Sequence, residues 1–78
     1  MNLSFESNDV LNARQRIKQL RQEIDTVMLS FRIARELHRV REATDLLRKR
    51  SELIHELIQA QKVLLELMEQ EILAESGR

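Results

Sequence analysis

Apolar residues in the first half of the chain recur in alternating steps of three and four. This first seam consists of Val10, Ala13, Ile17, Leu20, Ile24, Val27, Phe31 and Ala34. Such spacing puts every member on one side of an α-helix and is typical of a coiled-coil contact. The next positions in phase are His38 and Arg41, so the pattern predicts that the seam ends after Ala34.

A second apolar stripe begins before the first seam ends. Its members are Leu29, Ile33, Leu37, Val40, Thr44 and Leu47. At about 100° per residue this stripe faces nearly the opposite side of the same helix. The overlap, residues 27–37, is therefore apolar almost all round. Either this segment is sandwiched between two partners, or a break near Ser30 lets each half turn its own face inward.

The last predicted helix, about residues 52–75, is the most apolar part of the chain. Ten of its apolar residues form one broad face: Leu53, Ile54, Leu57, Ile58, Ala60, Leu64, Leu65, Leu67, Met68 and Ile72. They cover roughly half of the helix circumference, more than one neighbouring helix covers. The pattern therefore predicts oligomerisation, most simply a homodimer that forms a four-helix bundle.

The position of the chain reversal is less sharply defined. The sequence has no proline, and its only glycine is Gly77, which favours long helices. Residues 41–52 are the most polar stretch, and we expect the turn there. A turn near 48–51 would leave the first seam free for a second subunit, and one near 42–45 would give equal arms. A continuous helix of roughly 100 Å is a third alternative.

The predicted fold is thus an all-α, coiled-coil-like hairpin of two or three long helices. The hairpin domain spans residues 9–76 and follows a flexible lead-in, residues 1–8. Ser7, Asn8 and Asp9 are candidate caps for the first helix, because their side chains can accept hydrogen bonds from its free amides.

Composition narrows the class of protein further. The 78 residues include no cysteine, which excludes a disulfide framework, a thiolate metal site and a cysteine nucleophile. No apolar run exceeds three residues, so we expect no membrane span. The first nine residues lack the features of a secretion signal, and we expect a cytoplasmic protein.

Charge is balanced overall but unevenly placed. Residues 32–50 hold seven basic and three acidic side chains, and residues 51–78 hold two basic and six acidic. Six cations are candidate contacts for an anionic partner: Arg35, Arg39, Arg41, Arg48, Lys49 and Arg50. A nucleic-acid-associated regulator that uses this basic hairpin tip is the alternative functional hypothesis. Carboxylates one helical turn away, such as Asp45 after Arg41, would weaken that field.

One short element is compatible with metal chemistry. Glu52 and His55 form a Glu-x-x-His pair like the half-site of di-iron carboxylate proteins, and Glu36 could supply another carboxylate. The helical pattern places Glu52 and His55 on the polar side of the last helix, where they would face water. We therefore expect no metal, no cofactor and no catalytic residues.

The segment LRQEID at 20–25 resembles the opening helix of the all-helical chorismate mutases. Arg21 and Lys49 fall where that family's arginine and lysine would be expected. The sequence departs from the family at Met28, which replaces an acidic residue, and at His38, which replaces a second arginine. The family pocket also needs a third long helix. We do not assign that activity to this chain.

The functional prediction is a non-enzymatic protein–protein interaction module, such as an adaptor, a small chaperone or a regulatory or assembly subunit. Its partners would be a second copy or another helical protein. The predicted interface residues are Ile17, Leu20, Ile24, Val27, Phe31, Leu57, Leu64, Leu65 and Met68.

Overall fold

Two long antiparallel helices form the protein. The computed structural model describes residues 7–77, and these form α1 (Asn8–Glu36) and α2 (Val40–Ser76). The helices contain 29 and 37 residues. The molecule measures 61 × 25 × 13 Å, so the chain folds back on itself and the continuous-helix alternative is wrong. The predicted all-α hairpin is confirmed.

Ser7 caps the first helix. Its backbone is extended, and its hydroxyl oxygen accepts a hydrogen bond from the Val10 amide at 3.2 Å. This bond satisfies one of the amides that a helix start leaves without a partner, and the carboxylate of Asp9 in the first turn complements the helix dipole. Ser7 was one of the three candidate caps. Residues 1–6 of the predicted lead-in lie outside the described residues.

Replacing Ser7 by alanine removes the side-chain acceptor but keeps the backbone, whose amide donates to Glu71 at 3.2 Å. We expect this variant to lose about 1 kcal/mol of unfolding free energy in urea titrations followed by circular dichroism. Ser7→Thr keeps an acceptor and should lose less. Equal stability of the alanine variant and the original chain would contradict the capping role.

The chain reverses within three residues, Leu37 to Arg39. His38 has a φ of 57°, in the left-handed region. Its amide donates to the Arg35 carbonyl at 3.1 Å, and the Arg39 amide donates to the Ala34 carbonyl at 2.9 Å. These two bonds form a Schellman motif, which usually places glycine at the left-handed position. Histidine is among the residues that occupy this region more often than most.

The predicted turn position, 41–52, is wrong, since that stretch lies inside α2. Its polar residues belong to the exposed sides of the helix, while Ala43 and Leu46 are partly buried. The Thr44 hydroxyl donates to the Val40 carbonyl one turn earlier in its own helix, at 2.9 Å. The break considered near Ser30 is also absent, because Ser30 lies within α1.

The first seam of α1 packs against a matching seam on α2. The partly or fully buried residues of α2 that form this inner seam are Ala43, Leu46, Leu53, Leu57, Ala60, Leu64 and Leu67. Leu20 and Leu53 are fully buried, at 0% and 1% exposure. The Arg16 guanidinium lies 3.3 Å from the Glu56 carboxylate across the two helices, consistent with the antiparallel register. The arrangement in which the first seam stays free for a second subunit is therefore wrong.

Candidate protein interaction surface

A second regular seam follows the whole length of α2. Its positions recur in alternating steps of four and three: Val40, Thr44, Leu47, Ser51, Ile54, Ile58, Gln61, Leu65, Met68 and Ile72. Seven of these ten positions are large and apolar. We call this set the outer seam.

The outer seam is largely exposed because α1 covers only one side of α2. Val40, Leu65 and Ile72 are 75%, 58% and 59% exposed, and Ile54 is partly buried. On a helix with a repeat of 3.5 residues, the inner and outer seams are centred about 100° apart. A single neighbouring helix spans only one of them. α2 thus has two coiled-coil-like seams, of which the hairpin uses one.

A row of mostly basic residues on α1 runs beside the outer seam. This row, the basic row, has the same three- and four-residue spacing: Arg14, Lys18, Arg21, Asp25, Met28, Arg32 and Arg35. All of them are exposed except Met28, which is partly buried. Five of these seven residues are Arg or Lys, whereas the corresponding positions of α2 are mostly apolar.

Two surface grooves show that the basic row and the outer seam share one face of the hairpin. The first is lined by Lys18 and Arg21 together with Gln61 of the outer seam. The second, near the turn, is lined by Arg35 together with Val40 and Leu47. One face therefore carries an apolar strip with cations along its α1 side.

The opposite face of the hairpin is predominantly acidic. Its charged residues are Asp9, Arg16, Glu23, Glu42, Asp45, Lys49, Glu52, Glu56 and Glu66. A groove on this side is lined by Glu23, Lys49 and the buried Leu53. Although the chain has no net charge, its two faces are of opposite sign.

The structure separates the nine predicted interface residues into two groups. Seven of them line the contact between α1 and α2: Ile17, Leu20, Ile24, Val27, Phe31, Leu57 and Leu64. Leu65 and Met68 instead belong to the outer seam, with Met68 37% exposed. Because Ile17 and Leu20 are buried inside the hairpin, a second chain cannot contact them without opening it.

The predicted interface residues did not include most of the exposed outer seam. Leu47, Ile58 and Ile72 are exposed apolar members that the prediction omitted. The signal was available, since the four-and-three spacing runs through the whole of α2. This spacing was obscured because the sequence pattern joined Leu29 and Ile33 to the seam in one stripe. In the structure both residues lie on α1, face away from α2 and are exposed.

The six candidate contacts for an anionic partner are interspersed with carboxylates. Arg39 lies 3.5 Å from Glu42, and Arg48 lies 3.7 Å from Asp45. A groove near the turn is lined by both cations and carboxylates, among them Arg41, Glu42 and Asp45. Lys49 lines this same groove, Arg35 lines another groove together with Val40 and Leu47, and Arg50 is exposed.

The residues considered for metal chemistry do not form a cluster of metal ligands. Glu36, Glu52 and His55 are all exposed, and Glu52 and His55 face water as expected. Across residues 7–77 no three acidic or histidine side chains are grouped in a way that could hold a metal ion. Arg21 and Lys49, the positions shared with the chorismate mutase pattern, line grooves on opposite faces.

Comparison with known proteins adds no family to this description: no family model, no curated protein and no solved structure matches the chain. Within the described part of the chain, neither helix has the length and apolar character needed to cross a membrane.

Proposed function

We propose that this protein is a non-enzymatic interaction module whose working surface is the outer seam of α2. The observation that carries the proposal is an exposed apolar strip with strict coiled-coil spacing along a 37-residue helix. That spacing suits the packing of another helix, whose side chains would insert between those of the seam.

The energetics favour a covered seam. Fully burying a Leu, Ile or Val side chain contributes about 1.5–3 kcal/mol relative to full exposure. Several members of the outer seam are half exposed, so covering them supplies enough free energy to offset part of the cost of association. An adaptor, a small chaperone or a regulatory subunit is the kind of protein that presents such a surface.

The partner in this proposal is helical, either a second copy or another protein. A homodimer in which two hairpins form a four-helix bundle is the simplest symmetrical assembly, and it stays a prediction. We do not extend the proposal to nucleic acid, because carboxylates alternate with the tip cations and two of these cations lie within 3.7 Å of an acidic side chain.

Site-specific photocrosslinking in the source cell tests the proposal. A photoreactive amino acid at Ile58 or Leu65 should give a discrete covalent adduct, because both side chains lie in the outer seam. The matched control positions are Glu52 and Gln59, which are exposed on another side of α2 and should give none.

The adduct should disappear in an Ile58→Asp, Met68→Asp variant crosslinked from Leu65, while the helical circular dichroism spectrum persists. Adduct formation at equal yield from both sets of positions, or from neither, would overturn the proposal. A nuclease-sensitive adduct would also overturn it and would favour the nucleic-acid hypothesis.

A further inference from the structure

The chemistry of the partner can be argued from what surrounds the outer seam, provided that the proposed function holds. From Val40 to Ile72 the seam extends for about 48 Å at the helical rise per residue. Its repeat of 3.5 residues per turn matches a second helix packed nearly parallel or antiparallel to α2 over about four heptads. The occupant that this shape fits is one long amphipathic helix.

Cations flank the seam on both sides. The basic row of α1 follows one edge, with Lys18, Arg21 and Arg32 exposed. Along the other edge, the next residue after every second member of the seam is Arg41, Arg48, His55, Lys62 or Glu69. The charge of this edge is weaker than that of the basic row, because it includes Glu69 and because Arg48 lies 3.7 Å from the Asp45 carboxylate. A helix that lies in the seam would therefore place its own flanking residues opposite mostly basic side chains.

We propose that the outer seam and the basic row together bind an acidic amphipathic helix from another protein. This helix would present an apolar stripe of 3.5-residue repeat, with Asp or Glu at the positions on either side of the stripe. Complementary charge at the edges of a contact selects the partner and speeds encounter, and the apolar stripe supplies most of the affinity.

A second copy of this chain is a poorer occupant. Two-fold pairing brings the same face against itself, so the cations that flank one seam would approach the cations of the other copy. Stacking on the acidic face of another copy avoids this repulsion. That face, however, offers few large apolar side chains to match the seam, among them Val63 and Leu73.

An anionic lipid surface is also a poorer match. Interfacial membrane helices need a broad apolar face but no heptad repeat.

Two synthetic 28-residue helical peptides test the inference. Both carry Leu and Ile at the two apolar heptad positions and Ala and Gln elsewhere, with either Glu or Lys at the flanking positions. Binding of each labelled peptide to the full chain is measured by fluorescence anisotropy in 50 mM and 300 mM NaCl. We expect the Glu peptide to bind at least tenfold more tightly at low salt, and the difference to shrink at high salt.

Matched variants locate the contact. Arg21→Glu with Arg32→Glu reverses charge in the basic row and should reduce the preference for the Glu peptide. Lys49→Glu with Gln19→Glu and Gln59→Glu makes the same change in total charge away from the basic row, keeps the Arg16–Glu56 pair and should leave the preference unchanged. Leu65→Asp should abolish binding of both peptides without loss of helical circular dichroism.

The remaining outcomes separate this inference from the proposed function. Equal binding of both peptides that Leu65→Asp abolishes would overturn the acidic partner but keep the seam as a docking surface. The same holds if neither peptide binds and sedimentation shows a dimer that Leu65→Asp dissociates, because the occupant is then a second copy.

Tighter binding to vesicles with 30% phosphatidylglycerol than to either peptide would overturn the inference in favour of lipid. A monomer that binds neither peptide, and whose Leu65 forms no crosslink in cells, would overturn both.

Discussion

Replacing Leu20 by alanine is expected to lower the free energy of unfolding by about 3 kcal/mol. Leu20 is fully buried between the two helices, and truncation leaves a cavity that the surrounding side chains fill only in part. A single core in a domain of this size rarely supplies more than 3–5 kcal/mol, so we expect the variant to retain about 2 kcal/mol or less and to unfold at a much lower urea concentration. Circular dichroism at 222 nm with urea titration measures the effect.

Leu65→Ala is the matched control for this prediction, since it removes the same atoms from a side chain that is 58% exposed. We expect a loss of about 0.5 kcal/mol or less. A stability loss at Leu65 that grows with protein concentration would show that a second copy covers the outer seam. Wild-type stability of Leu20→Ala would contradict the packing of the first seam inside the hairpin.

His38→Pro is expected to destabilise the hairpin by about 3 kcal/mol or more. Proline holds φ near −65°, whereas His38 has a φ of 57° and donates its amide to the Arg35 carbonyl. The substitution thus removes both the left-handed conformation and one of the two hydrogen bonds that close α1. Thermal unfolding at fixed protein concentration, followed by circular dichroism, measures the loss.

His38→Gly should have the opposite effect and raise the unfolding free energy by about 1 kcal/mol, because glycine occupies the left-handed region without steric cost. Arg39→Gly is its control. Arg39 has a φ of −85°, so glycine there relieves no strain and only increases the entropy of the unfolded chain. If Arg39→Gly stabilised the protein and His38→Gly did not, the turn would be centred one residue later than described.

These effects bear on the proposed function because the hairpin core is thin. Among the described residues, only Val10, Ile17, Leu20, Ala34 and Leu53 are buried, whereas the outer seam stays exposed. A partner that binds only the folded hairpin adds to its stability in proportion to the logarithm of the partner concentration over the dissociation constant. Folding and partner binding are therefore coupled in this proposal.

Much of the local structure follows from interactions between residues that are close together in sequence. The three-and-four spacing from Val10 to Ala34 predicts the face of α1 that packs, and side-chain chemistry restricts the cap to three candidates that include Ser7. The turn is different. His38 gives no glycine-like signal, and the polar stretch after it has the composition of a turn although it lies within α2. The residues there are polar because they are exposed to water on the outer side of a long helix. Their composition therefore does not distinguish a helix from a turn.

The sequence predicts the candidate interaction surface only in part, because which seam is exposed depends on the position of the turn. The apolar breadth of the last helix indicates that one neighbour cannot cover it, and the exposure of Leu65 and Ile72 agrees. Which of two apolar seams faces α1, however, depends on where the chain reverses. A turn at Leu37–Arg39 brings the first seam inward and leaves the outer seam as the exposed one.

The sequence by itself thus determined that this protein is made of long helices and carries more apolar surface than a single hairpin buries, because periodicity and the lack of helix breakers act locally. Only the tertiary structure decided which seam is internal, and that the cations of α1 lie beside the exposed seam while the carboxylates gather on the opposite face. Those relations join residues far apart in sequence, and they depend on a single left-handed residue that sets the register of the two helices.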